Sequence, residues 1–281
     1  MRILTVVSTL AIWSVCWFAV AGDSTKDATA NTATRQDGRI LFSKPDFVST
    51  TNGQINIPCV SCGHTHTDRF WRVESVDVDE LAHGKEMLGR ELSKYPISVI
   101  TANVDRIYLL RKLANCANGE WVQQAGVCAH RSLYLAQQIG KEWFHEAVVH
   151  HELCHLLQFS CKPRFPDEAW CKCNPEGFSY PGSPPIDSPV LGEQYLKDGF
   201  VCSHGRSSWQ EDVCTYAMWL FTRSDWMFKQ ASQYPRVKAK LDILVAFYGN
   251  IDPVFTVEYF RGNCQTQPPS GDMRRSARRE R

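Results

Sequence analysis

The chain has 281 residues, 43% of them hydrophobic, and its 31 Lys and Arg almost balance its 30 Asp and Glu, leaving a net charge of +1. That balance gives no electrostatic basis for holding nucleic acid, and the apolar content suffices for one domain of about 225 residues with a proper core. Beyond the N-terminus no stretch is apolar enough to span a bilayer.

The chain opens Met1-Arg2, runs apolar from Ile3 to Val20 and offers Ala19-Val20-Ala21 before Gly22-Asp23. Residues 1–21 therefore read as a secretory signal peptide, with an uncleaved anchor as the alternative. The mature chain is expected to be secreted or lumenal, with no stable membrane span after cleavage. Its cysteine content suits an oxidising compartment: of twelve Cys, Cys16 leaves with the signal and the remaining eleven allow five disulfides and one thiol. Cys116 and Cys128 flank a short polar segment and are the best candidates for one bridge. No Asn-x-Ser/Thr sequon occurs.

Residues 22–38 are rich in Thr, Ala and Asp and read as a flexible linker. The folded domain is expected over 39–265. Cys59-Val60-Ser61-Cys62-Gly63-His64-Thr65-His66 could be taken for a second zinc site. Four ligands so close together strain tetrahedral geometry, and the compartment favours disulfides there. Ile97–Thr101 and Ile107–Leu110 are β-like apolar runs, the second of which could instead open a helix. After the Asn118-Gly119 turn signal, Arg131–Ala136 alternates, with Leu133 and Leu135 opposite Ser132 and Tyr134. It reads either as a strand placed to pair with an extended substrate or as an ordinary edge strand.

His151-Glu152-Leu153-Cys154-His155 follows. On a helix its spacing sets two imidazoles one turn apart on one face, able to share a Zn²⁺, with Glu152 in reach of a metal-activated water. Trp143, Phe144, Ala147 and Val148 lead into that face, Leu156 and Leu157 extend it, and Lys162-Pro163 ends it. This predicts one helix of about twenty residues beginning near Gly140. A buried helix with two internally bonded His is the plainer reading, and it leaves Glu152 unexplained. His83, His130, His145 and His150 show no partner pattern and read as structural or surface residues. Between Cys161 and Cys202 lies an irregular insert rich in Pro, Gly and Cys, either a lid over a site or a cross-linked surface loop.

Val213, Tyr216, Ala217 and Leu220 keep helical spacing, so a second amphipathic helix is expected from about Ser207. Catalytic zinc takes three protein ligands and an open position. Glu211, in the first turn of this helix, could be the third, with Asp212 in reserve. Ser208-x-x-Glu211 is equally a capping box, and on this segment alone the two roles stand level. The basic tail, residues 266–281, carries Arg274, Arg275, Arg278, Arg279 and Arg281 and reads as a solvated end.

The segment Gly199-Phe200-Val201-Cys202-Ser203-His204-Gly205, followed by Glu211-Asp212-Val213, resembles the second motif of the gluzincin-type zinc metallopeptidases, closest to their lethal-factor-like branch. Ile107–Leu110, Ala125-Gly126, Leu133–Leu135 and His150-His151 are similar to that family too, and the resemblance covers roughly residues 107–220. It implies Glu211 as third zinc ligand beside His151 and His155. Where the family carries an oxyanion-stabilising Tyr, this chain has His204, whose N–H would take that role. Cys154 and Cys214 replace small residues and Thr215 replaces a carboxylate. Both cysteines fall near the metal-facing sides of their helices, which suggests a disulfide joining them, with a thiolate ligand as the alternative.

The expected fold is α+β: a zincin-like metallopeptidase domain with a small mixed sheet, the helix of His151 and His155, and a second ligand-bearing helix, stapled by disulfides. The expected function is a secreted peptidase with one Zn²⁺ per chain, Glu152 as general base, and a peptide or protein as substrate. A secreted zinc-binding protein without turnover, acting on a partner, is the alternative. Substrate specificity and oligomeric state are not legible in the sequence.

Overall fold

In the computed structural model the described residues are 34–36, 39–41, 46–48, 53–56, 70–117, 120–139, 142–143, 146–182 and 191–263. All lie in the second of two compact units, Thr32–Arg281. The signal segment, most of the linker, the Cys59–His66 cluster, the side chain of Cys116 and the basic tail lie outside them, so the expectations for those segments and the Cys116–Cys128 bridge do too.

Short strands come first: β1 (Thr34–Gln36) pairs antiparallel with β2 (Arg39–Leu41), followed by β3 (Asp46–Val48) and β4 (Gly53–Asn56). β5 (Phe70–Ser75) leads into helix α1 (Val78–Leu92), whose start is written in the sequence as a capping box. Asp77 accepts from the Glu80 N–H at 2.8 Å, and Glu80 accepts from the Asp77 N–H at 2.9 Å. Next comes α2 (Ile97–Asn103), where the β-like run Ile97–Thr101 was expected to be extended. Pro96 sits at its start, where its missing N–H costs nothing, and the turn buries Val99 and Ile100 in the core. Packing outweighs the β preference of branched side chains here.

β6 (Arg106–Ala117) is the hub of the sheet. It pairs antiparallel with β5, parallel with β3, and antiparallel with β7 (Glu120–Gln124). β8 (Gly126–Ala129) and β9 (Ser132–Ala136) complete the sheet, in the order β4-β5-β6-β9-β8. The expected alternation in β9 holds: Leu133 and Leu135 are fully buried, and Ser132 and Tyr134 are half-buried. Ile107, Leu109, Leu133 and Leu135 face the helices, while Leu110, Ala129 and Ala136 form a smaller cluster on the other face with Trp71 and Val73. Because β9 lies between β6 and β8, it is not an edge strand; β8 holds that place.

The β10 (Gln138–Ile139) and β11 (Glu142–Trp143) hairpin occupies the stretch where the metal-binding helix was expected to begin. That helix, α3, runs Glu146–Ser160 and is 15 residues long. The region from Cys161 is more ordered than its composition suggests, with α4 (Asp167–Cys171) and α5 (Glu193–Asp198). A 3-10 turn at His204–Arg206 precedes α6 (Trp209–Thr222). Then come α7 (Ser224–Gln233), α8 (Pro235–Ile251) and α9 (Val257–Asn263). No helix among the described residues is long and apolar enough to cross a membrane. The result is a mixed α+β structure in which one face of the sheet and the helix layer share a core running through α1, α3, α6 and α8.

Candidate metal centre

Helix α3 buries Val149, Leu153, Leu156 and Leu157 fully or nearly so, which fixes its rotation and leaves His151 and His155 on a flank facing α6. Their Nε2 atoms are 3.3 Å apart. Ser208 caps α6 by accepting the Glu211 N–H at 3.2 Å, but the Glu211 side chain does not return the bond. It reaches across to α3 instead: Oε2 lies 2.9 Å from Nε2 of His151, and Oε1 lies 3.4 Å from Nε2 of His155. The two roles open for Glu211 are thus divided, Ser208 taking the cap and the carboxylate joining residues 60 positions away in sequence. His204, from the 3-10 turn, brings its Nε2 to 2.9 Å from the same Oε2.

These side chains keep between 6% and 25% exposure, so the cluster is walled by protein yet open to solvent. Burial pushes His151 down to about 4 and Glu152 up to about 7. Burial also opposes a charge on His155, but the Glu211 carboxylate outweighs it and lifts the imidazole to about 9. Glu211 in turn is held well below the usual carboxylate range, burial being overcome by His155, His151 and His204.

Asp212, the reserve ligand, faces away. Fully buried, its Oδ2 accepts from Lys240 Nζ at 2.6 Å, Tyr180 O–H at 2.8 Å and Trp170 Nε1 at 2.9 Å. Cys154 and Cys214 meet where α3 packs on α6, with Gln158 Nε2 at 3.6 and 3.2 Å from their sulphurs. They form no disulfide with one another, and Cys161, Cys171, Cys173 and Cys202 form none among the described residues. The proposed staple between the ligand helices stands here as a buried pair of thiols.

Two contributions were missed in the sequence. Gly126, at the start of β8, leaves room for Glu152: a Cβ there would lie 2.8 Å from Glu152 Cγ and 2.9 Å from its Oε1. His150 also has a partner after all. Tyr95 O–H donates to its Nδ1 at 2.9 Å, and its Nε2 bonds Glu91 at 3.0 Å. The Ala125-Gly126 pair carried a local signal for the first; no local signal joins His150 to a residue 59 positions away.

The donor set suits zinc. Nitrogen and carboxylate donors at 2.9–3.4 Å match the separation of about 3.3 Å between neighbouring donors around tetrahedral zinc with bonds of about 2.0–2.1 Å. Donor atoms within 4.8 Å of one another occur in two groups among the described residues, His151/His204/Glu211 and His151/His155/Cys214. No family model matches the chain, and no curated protein matches it. A solved structure described as a "putative zinc-binding metallo-peptidase" from Bacteroides caccae superposes with a TM-score of 0.45 at 15% identity, covering 68% of this chain and 79% of that one. That likeness is too loose to establish a family.

Proposed function

We propose that the chain is a secreted zinc-dependent peptidase in which His151, His155 and Glu211 hold the metal and Glu152 is the general base. One observation carries the reading: two imidazoles from α3 and a carboxylate from α6 converge within 3.4 Å beside a buried Glu152. Zinc bound there would polarise a scissile carbonyl and acidify a water. Glu152, lifted toward neutral pH by burial, is suited to take a proton near pH 7 and return it to a leaving amine. β8, which ends the sheet and packs Gly126 against Glu152, offers an edge along which an extended peptide could pair. In this reading His204 serves as oxyanion donor only if it lets go of Glu211.

The non-catalytic alternative, a secreted zinc-binding protein that acts on a partner, draws on that same His204–Glu211 contact. The test is zinc content and hydrolysis of a peptide library for wild type, Glu152→Gln, His155→Ala and Glu211→Ala. About one zinc per chain is expected in wild type and in Glu152→Gln, with hydrolysis lost in the latter, and both properties lost in the other two. Undiminished hydrolysis by Glu152→Gln would defeat the mechanism, and a zinc-replete wild type with no turnover would favour the alternative.

A further inference from the structure

We propose that His204 is itself a metal ligand, so that the centre presents four protein donors, three imidazoles and one carboxylate, rather than three and an open position. This rests on the reading of His151, His155 and Glu211 as a metal site. The observation behind it is where the His204 ring is aimed. Its Nε2 lies 2.9 Å from Oε2 of Glu211, the oxygen that Nε2 of His151 also approaches to 2.9 Å. His204, His151 and Glu211 place one donor atom each within 4.8 Å of one another, so the ring faces two of the three proposed ligands.

The ring is held there by its backbone. Ser207 Oγ donates to the His204 carbonyl at 2.8 Å. The neighbouring Gly205 lies so flat on α6 that a Cβ would stand 2.9 Å from Asp212 Oδ1 and 3.0 Å from Thr215 Oγ1. The turn that carries His204 is thereby fitted to the first turns of the helix that carries Glu211.

Residue chemistry then separates His204 from the Tyr that the resemblance expects. A phenol keeps its proton at neutral pH and donates it to developing negative charge, whereas an imidazole offers an in-plane lone pair and is a common metal ligand. Cys214 is the competing fourth donor, since it groups with His151 and His155. It is fully buried in the α3–α6 contact, where its sulphur accepts from Gln158, while His204 lies on the side open to solvent. With His204 engaged the centre is closed at rest, and a substrate carbonyl gains access only when that ring swings out.

The test uses the secreted protein as wild type, His204→Ala and His204→Gln, with zinc affinity measured against a chromophoric chelator and zinc-edge X-ray absorption counting imidazole scatterers. Three imidazoles are expected in wild type and two in both variants, with affinity weaker by about 10- to 100-fold. The Gln variant keeps the side chain's bulk, so a folding defect confined to Ala does not decide the result. A zinc-loaded wild type with two imidazoles, or unchanged affinity in folded variants, overturns this inference and leaves the three-ligand reading intact. A sulphur scatterer in wild type also overturns it and assigns the position to Cys214. A folded wild type that binds no zinc overturns both.

Discussion

A single missing methyl group positions the proposed base. Gly126 packs its backbone where a Cβ would meet the Glu152 side chain at 2.8 Å, and the same atom would sit 3.0 Å from Val148. Glu152 is inside the helix and 7% exposed, so it cannot retreat into solvent to make room. Gly126→Ala is therefore expected to leave zinc content unchanged while lowering hydrolysis by about tenfold or more, because a displacement of about 1 Å at a reacting group carries costs of that order. Parallel metal and rate assays check it; loss of zinc together with rate would mean that α3 itself had moved. His151, Glu152 and His155 were legible because their spacing is local and periodic. On its own segment Glu211 stood level between ligand and cap, since a four-residue pattern cannot tell which way a carboxylate turns, and only the resemblance to a second motif favoured the ligand. Asp212 shows the limit: next to Glu211 in sequence, it is turned to the opposite side by Lys240, a residue 28 positions later.

At the level of elements, the pair Asp212–Lys240 joins α6 to α8. Lys240 is fully buried, donates to Asp212 Oδ2 and to the Gly199 carbonyl at 2.9 Å, and stands 4.1 Å from the centre of the Phe200 ring. Lys240→Met removes the cation and strands a carboxylate, which costs about 3–5 kcal/mol in such pairs. Chemical denaturation is expected to show that loss, with Asp212→Asn in the same chain recovering part of it. Ser208→Ala should cost less, about 1 kcal/mol, because it removes one cap from α6 without uncovering a charge. The sequence announced α3 and α6 through their apolar spacing and β9 through its alternation. It misplaced the start of α3 because Trp143 continues the helical pattern, although the chain spends that residue in the short hairpin. α1 went unread although Asp77 and Glu80 spell its cap, and α2 was read as a strand because the burial of Val99 and Ile100 is set by partners elsewhere in the chain.

On the scale of the whole molecule, α1 and α3 share a buried polar chain that includes His150, the residue before His151. Tyr95 donates to His150, His150 to Glu91, and Lys94 Nζ to Glu91 at 2.6 Å. Burial opposes the Glu91 charge, but the bond from His150 and the Lys94 ammonium prevail and hold it at about 2, against an ordinary value of 4.5. The unfolded chain thus takes up this proton first. The stabilisation is complete above about pH 4.5 and is lost as the pH falls through about 2, a span equivalent to about 3 kcal/mol. Burial keeps His150 below its ordinary 6.5, which adds a loss of the same sign as acid charges it in the unfolded state. Unfolding free energies measured from pH 7 to pH 3 are expected to fall steadily in wild type. Glu91→Gln, less stable at pH 7, should show a flatter acid limb below 4.5; an unchanged slope would mean that other carboxylates dominate.

The two helices that would supply donors belong to distant parts of the chain, since His151 and Glu211 are 60 positions apart. An ion shared between them would act as a clasp on everything in between, including α4, α5 and the turn of His204. Such a clasp stabilises the native form by mass action and is withdrawn by a chelator. Hydrogen exchange in residues 161–182 and 191–208 should then quicken on chelation well before the sheet around β6 responds, so that metal loss is felt first as a loosening of those segments and only later as unfolding.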